Sequence, residues 1–201
     1  LAAIYRSDLS LIISSTEISL LTERFNVPSY LLEETSFLYP SPLPFRGWEE
    51  RANLVFIGNG LHAPNIDAIR LLKSTLWKAI REALGHRGVT DAELHVYGAY
   101  LPQEVLQFDN RRERFRVIGK ANNVYDTLSR YRCNLAPLRF GAGLKGKVSD
   151  GWMVGTPCVA TPLAAEGMVN SGSFGGVVEE LAEGYPERVA ELYVLSLIHI
   201  S

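Results

Sequence analysis

The sequence predicts an α/β fold, a doubly wound parallel sheet preceded by a partial β-α-β segment. Three observations predict it. Short apolar runs alternate with helix-patterned stretches from residue 53 to residue 193. The runs are nearly continuous in apolar residues, as in strands covered on both faces. Glycine-rich turns follow several of them, where a strand end meets a helix start.

The elements follow in order. Residues 8–13 have the length of a buried strand. Ser14 and Glu17 stand at capping-box spacing, and a helix should run to about Phe25, with Ile18, Leu21 and Phe25 on one face. Asn26 and Pro28 end it, and residues 29–32 read as a second short strand. Pro40, Pro42 and Pro44 then favour extended chain over helix. These features divide the chain into residues 1–38, the end of one domain; 39–52, a hinge or linker; 53–194, the main domain; and 195–201, an uncertain tail.

In the main domain, residues 53–57 form the first strand, and Gly58-Asn59-Gly60 a turn. Pro64 suits a first helical turn, and apolar residues at 66, 69, 72, 76 and 80 carry a helix to about Leu84. Gly85 and Gly88 stop it. Strands follow at 93–97, 115–118, 133–138 and 156–161, with a sixth at 175–178. The intervening helices fall at 103–107, 124–131 and 146–154, and a last one at 186–193. Ligands of such sheets sit outside the carboxyl ends of the strands. The loops to inspect are therefore 58–64, 98–101, 119–123, 138–147 and 161–168.

Composition excludes several classes. At 47% hydrophobic and 21% charged residues the chain is a globular protein and not a disordered one. A net charge of −2 gives no electrostatic attraction to nucleic acid or an anionic membrane. No apolar run has the roughly 18–20 residues of a membrane span. Cys133 and Cys158 each lie inside an apolar run without a Cys or His at metal spacing, so they read as buried free thiols in a reducing, cytoplasmic setting. His95 reads as a core residue, His86 as part of a helix-ending turn, and Arg111-Arg112-Glu113-Arg114 as a solvated loop.

The segment 136–150 is the richest in chemistry. Gly141, Gly143 and Gly146 let backbone approach a ligand, and the following helix start directs N–H groups outward. Lys145 and Lys147 add charge, which makes a cradle for a phosphate or diphosphate without the spacing of a P-loop. Asp150 lies where a carboxylate can accept from both hydroxyls of a ribose, or serve as an ordinary helix-start acid. Gly58 and Gly60 form a second possible diphosphate contact, the 119–123 loop can flank a base, and Glu166 is a carboxylate at the ligand end of the sheet. His62 reads as a turn histidine near the first of these loops.

From Asn53 to Met168 the chain resembles the C-terminal domain of GT-B-fold glycosyltransferases of the group-1 or family-4 type. The matching pieces are Phe56-Ile-Gly-Asn, Pro64-Asn-Ile-Asp-Ala68, Leu94-His-Val-Tyr-Gly98, the run 136–147, Gly155-Thr-Pro-Cys-Val-Ala-Thr161 and Ala165-Glu-Gly-Met168. The resemblance implies transfer of a sugar from a nucleotide-diphosphate donor, of UDP, GDP or ADP type, to a hydroxyl of a glycan, lipid-linked or small-molecule acceptor. No cofactor or metal is implied. Asp150 takes the place of the family's second glutamate, which holds the donor ribose. The first of that pair, which contacts the transferred sugar, aligns with Ala142, and backbone N–H groups around Phe140, Gly141, Ala142 and Gly143 would do its work. Lys147 and Lys145 would face the diphosphate. The resemblance, with Leu1 in place of Met, implies a fragment inactive alone, its acceptor half lying upstream. A nucleotide-sugar epimerase of the same fold and a non-catalytic nucleotide-binding module are the alternatives.

Overall fold

A computed structural model describes residues 1–35, 43–168, 174–182 and 184–195. Most of the proline segment and the tail from residue 196 lie outside the described residues.

The chain opens with β1 (Ser10–Ile12), α1 (Ser15–Glu23) and β2 (Leu32–Glu34), a parallel two-stranded β-α-β unit with Ser10 opposite Leu32. The Ser14 hydroxyl caps α1 by accepting from the Glu17 N–H. Two expectations change. Residues 29–31 form a 3-10 turn that Pro28 initiates, so the strand begins at Leu32. The first strand is short and not buried, with Leu9 50% and Leu11 64% exposed, because two strands build no second layer to cover them.

The main sheet has six strands: β3 (Leu54–Ile57), β4 (Leu94–Tyr97), β5 (Phe115–Gly119), β6 (Cys133–Ala136), β7 (Cys158–Ala160) and β8 (Gly176–Val178). All are parallel, in the order β5-β4-β3-β6-β7-β8. This is the doubly wound arrangement that the alternating pattern predicts. The order reverses between β3 and β6, and the crevice outside that reversal is the natural ligand site. On central β3, Leu54 and Phe56 pack into the larger core, while Val55 and Ile57 pack on the opposite face with Leu128, Tyr131 and Val154.

The helices are α2 (Ala63–Leu71), α3 (Trp77–Gly85), α4 (Gln103–Leu106), α5 (Val124–Leu128), α6 (Gly146–Met153), α7 (Pro162–Ala165) and α8 (Gly184–Val194). The single helix expected over 64–84 is α2 and α3 joined by a π turn at Leu72–Leu76. The wider turn lets Leu72, Leu76 and Trp77 all face the core. None of the described helices is long and apolar enough to cross a membrane.

His95 differs from expectation. It is only partly buried, with Nδ1 2.8 Å from the Tyr131 hydroxyl and Nε2 2.7 Å from the Glu93 carboxylate. The Tyr97 hydroxyl, 3.0 Å from that of Tyr131, extends the chain of hydrogen bonds toward the ligand end of the sheet.

The segment expected to be a linker is fastened to the main domain over its described second half. Arg51 is 1% exposed, and its guanidinium donates to the carbonyls of Arg46, Val154 and Gly155 and to the Thr156 hydroxyl. The Phe45 ring lies 5.4 Å from it. Burial lowers the Arg51 pKa, an effect reinforced by neighbouring Arg46. Arg51→Met removes every one of these donors and leaves two buried acceptors, the Val154 carbonyl and the Thr156 hydroxyl, without them, at about 1–3 kcal/mol each. A total loss of about 3 kcal/mol is expected in urea unfolding.

Candidate functional site

Two cavities lie outside the carboxyl ends of the strands. The larger, of about 370 Å³, opens at the β3/β6 reversal and is lined by Gly58, Asn59, His62, Asn65, Gly98, Ala99, Lys120, Ala121, Val124, Lys147 and Asp150, with Ile57 at its base. The smaller, of about 150 Å³, is lined by Ser14, Thr16, Glu17, Leu20, Ala142, Gly143 and Glu166.

Helix α6 positions the charged groups of the larger cavity. It starts at Gly146 with no side-chain cap; the Val148 N–H donates to the Lys145 carbonyl, and the N–H groups of Gly146 and Lys147 have no partner within the helix. Asn134, buried in β6, donates through Nδ2 to the Lys147 carbonyl at 2.8 Å. Gly151 brings the helix close to the sheet: a Cβ there would lie 3.0 Å from the Thr156 carbonyl. The Lys147 ammonium donates to Asn65 Oδ1 at 2.6 Å and lies 4.2 Å from the centre of the Phe56 ring. Asn65 in turn donates to the Asn59 carbonyl at 2.9 Å, which ties the first loop to the lysine. Desolvation brings the Lys147 pKa down to about 7, against an opposing pull from Cys158.

Asp150 follows Lys147 by one turn. Its carboxyl pKa is raised by burial and partly restored by a hydrogen bond from Tyr125. Gly58 has a steric reason to be glycine, since a Cβ would lie 2.6 Å from the Asn65 amide carbon.

The residues singled out from sequence separate into three groups. Gly58, Lys147 and Asp150 line the larger cavity. Ala142, Gly143 and Glu166 line the smaller one. Gly60, Phe140, Gly141 and Lys145 line neither. Gly60 is glycine for packing, because a Cβ would lie 2.2 Å from the Tyr100 carbonyl oxygen. Phe140 is 45% exposed. Gly141 has φ +123° and packs toward Pro64. The Lys145 ammonium turns back onto the Gly143 carbonyl, and burial lowers its pKa while Glu166 opposes the change. Lys145 is thus not directed into the larger cavity as expected, because the turn before α6 folds its side chain over the loop.

Sequence reasoning passed over Asn65, Tyr125 and Glu17 as site residues, and rated His62 a turn residue although it lines the larger cavity. Arg139 also matters: it donates through Nε to Asp67 at 2.8 Å, fastening the loop to α2 and lowering the Asp67 pKa. Both thiols are free and buried; burial pushes Cys133 up to about 12 and Cys158 well above its ordinary value. No three His, Cys, Asp or Glu side chains converge as a metal site among the described residues.

A family model described as glycosyl transferases group 1 matches residues 51–194. The chain belongs to this family. No curated protein matches it by sequence. Among solved structures, a TarM mutant from S. aureus in complex with fondaparinux, alpha-GlcNAc-glycerol and UDP matches with TM-score 0.69 at 11% identity, covering 96% of this chain and 38% of that one. Anabaena HepE in complex with UDP matches with TM-score 0.66 at 12% identity, covering 93% and 53%. WaaG, a glycosyltransferase involved in lipopolysaccharide biosynthesis, matches with TM-score 0.60 at 14% identity, covering 96% and 58%. At these identities the likeness is one of fold, GT-B in all three, and this group 1 chain spans well under two thirds of each.

The Lys147 environment has a consequence for stability. Its pKa falls from 10.5 to about 7 on folding, so between those values the unfolded chain holds the additional proton. Stability should therefore rise with pH through this window. Lys147→Met should lack that rise, as read from urea midpoints of both proteins between about pH 6.5 and about pH 9.5.

Proposed function

We propose that this chain is the donor-binding half of a glycosyltransferase that moves a sugar from a nucleotide diphosphate to a hydroxyl acceptor. The observation that carries the reading is the larger cavity at the β3/β6 reversal. There Lys147 at an uncapped helix start and Asp150 one turn later line the same wall.

The parts divide the work. Lys147 and the first N–H groups of α6 hold the diphosphate. Arrival of that anion favours the charged form of a lysine that burial has left half-neutral near pH 7. Asp150, steadied by Tyr125, accepts from the ribose hydroxyls. The 119–124 loop, with Lys120, Ala121 and Val124 on the cavity wall, borders the base.

In the reaction the bond from the sugar's anomeric carbon to the β-phosphate oxygen breaks, and its electron pair goes to the diphosphate. The acceptor oxygen forms the new bond, and its proton passes to the released diphosphate or to water. Charge builds on the leaving diphosphate, and preorganised cationic and N–H groups stabilise it most at that moment. The UDP held by the TarM and HepE structures supports a nucleotide in this fold's crevice. Two buried free thiols suit a reducing, cytoplasmic setting, and the acceptor belongs to glycan biosynthesis in this reading.

Calorimetry with UDP, GDP and ADP tests the proposal, and at least one should bind. Absence of heat and of a thermal shift with all three would sink it. Lys147→Ala should weaken the diphosphate by about tenfold or more and leave the matching nucleoside nearly unchanged. Equal losses for both ligands would remove Lys147 from the phosphate role.

A further inference from the structure

The glycine loop meets Pro64 of α2 through Gly141, next to His62 and Asn65 of the larger cavity, and approaches Glu17 of the smaller cavity through Gly143. The larger holds the lysine and the wide, partly apolar wall that a nucleotide needs. The smaller has two carboxylates, Glu17 and Glu166, with the hydroxyl residues Ser14 and Thr16 beside them. The Lys145 ammonium, on the same loop, is turned onto the Gly143 carbonyl. Two carboxylates would repel a phosphate, and the 150 Å³ space is less than half the volume of the larger cavity. A neutral polyol fits, because ionised carboxylates are strong acceptors for hydroxyl donors.

Glu17 is placed by the fold for such contact. It sits in the first turn of α1, where the Ser14 cap holds its backbone N–H. Its Oε1 lies 3.8 Å from the position a Cβ on Gly143 would take. The opposing wall at Ala142 and Gly143 carries at most a methyl group, which leaves the space between open. Among the described residues the Glu17 carboxylate has neither a hydrogen-bond nor an ion-pair partner of its own.

We infer that Glu17 is a donor-sugar specificity residue, its carboxylate accepting hydrogen bonds from hydroxyls of the sugar unit seated in the smaller cavity. The inference rests on the donor reading above. With the diphosphate at the loop and α6, the nucleoside lies on one side and the sugar on the other. The β-α-β unit thereby completes a subsite that the main domain leaves without a carboxylate at position 142.

The test compares UDP with UDP-glucose, GDP with GDP-mannose and ADP with ADP-glucose on wild type, Glu17→Ala and Glu17→Gln. For the pair that binds, Glu17→Ala should weaken the nucleotide sugar by about tenfold while the nucleoside diphosphate stays within about twofold. Glu17→Gln should fall between, since an amide oxygen still accepts but without charge. Unchanged affinity for the nucleotide sugar overturns the inference. So does a parallel change for both ligands, whether loss through displaced α1 or gain through removed negative charge. If wild type binds none of the nucleoside diphosphates, the donor reading itself fails, and that result is distinct from a selective null at Glu17.

Discussion

The site depends on one buried cation. Arg51 reaches the carbonyls at the end of α6 and the Thr156 hydroxyl, while its own backbone precedes β3. A helix end leaves carbonyls without partners, and here a guanidinium supplies them from a distant part of the chain. The Thr156 hydroxyl passes the tie on to the Leu128 carbonyl at the end of α5. Asn134 holds the other end of α6 from within β6. The helix that carries Lys147 and Asp150 is thus fixed at both ends by side-chain hydrogen bonds, so the two side chains have a defined relation to the sheet.

That fixed helix explains how a protein with a small net charge makes a local anion site. The positive end of α6 and the Lys147 ammonium point to one place, and Asn65 joins them to the loop after β3. Burial makes the lysine expensive to charge when it has no anion nearby, so the site favours a ligand that brings its own negative charge. The glycine loop beside it serves a different need. Its small residues Ala142 and Gly143 leave the smaller cavity open, and Arg139 fastens it to α2 through Asp67.

Much of this was legible in the chain of residues. The β-α alternation, the cap at Ser14 and the glycine-lysine segment before α6 are local patterns, and each has a local physical cause. Other features were not. Arg51 looked like a linker residue because three of its acceptors, at Val154, Gly155 and Thr156, lie more than a hundred positions away. Lys145 and Lys147 looked equivalent, yet the turn before α6 sends one back over the loop and the other into the cavity. Glu17 looked like half of a capping box; its approach to Gly143 exists only once the first β-α-β unit meets the main domain.

Periodicity and turn chemistry by themselves determined that this is a doubly wound α/β chain with its chemistry after β6, since those signals act over a few neighbouring residues. The tertiary structure decided which residues share a cavity and which cation faces it. It also decided how the helix between them is anchored. Those outcomes come from contacts between segments far apart in sequence, where hydrogen-bond satisfaction and burial, rather than local preference, select the arrangement.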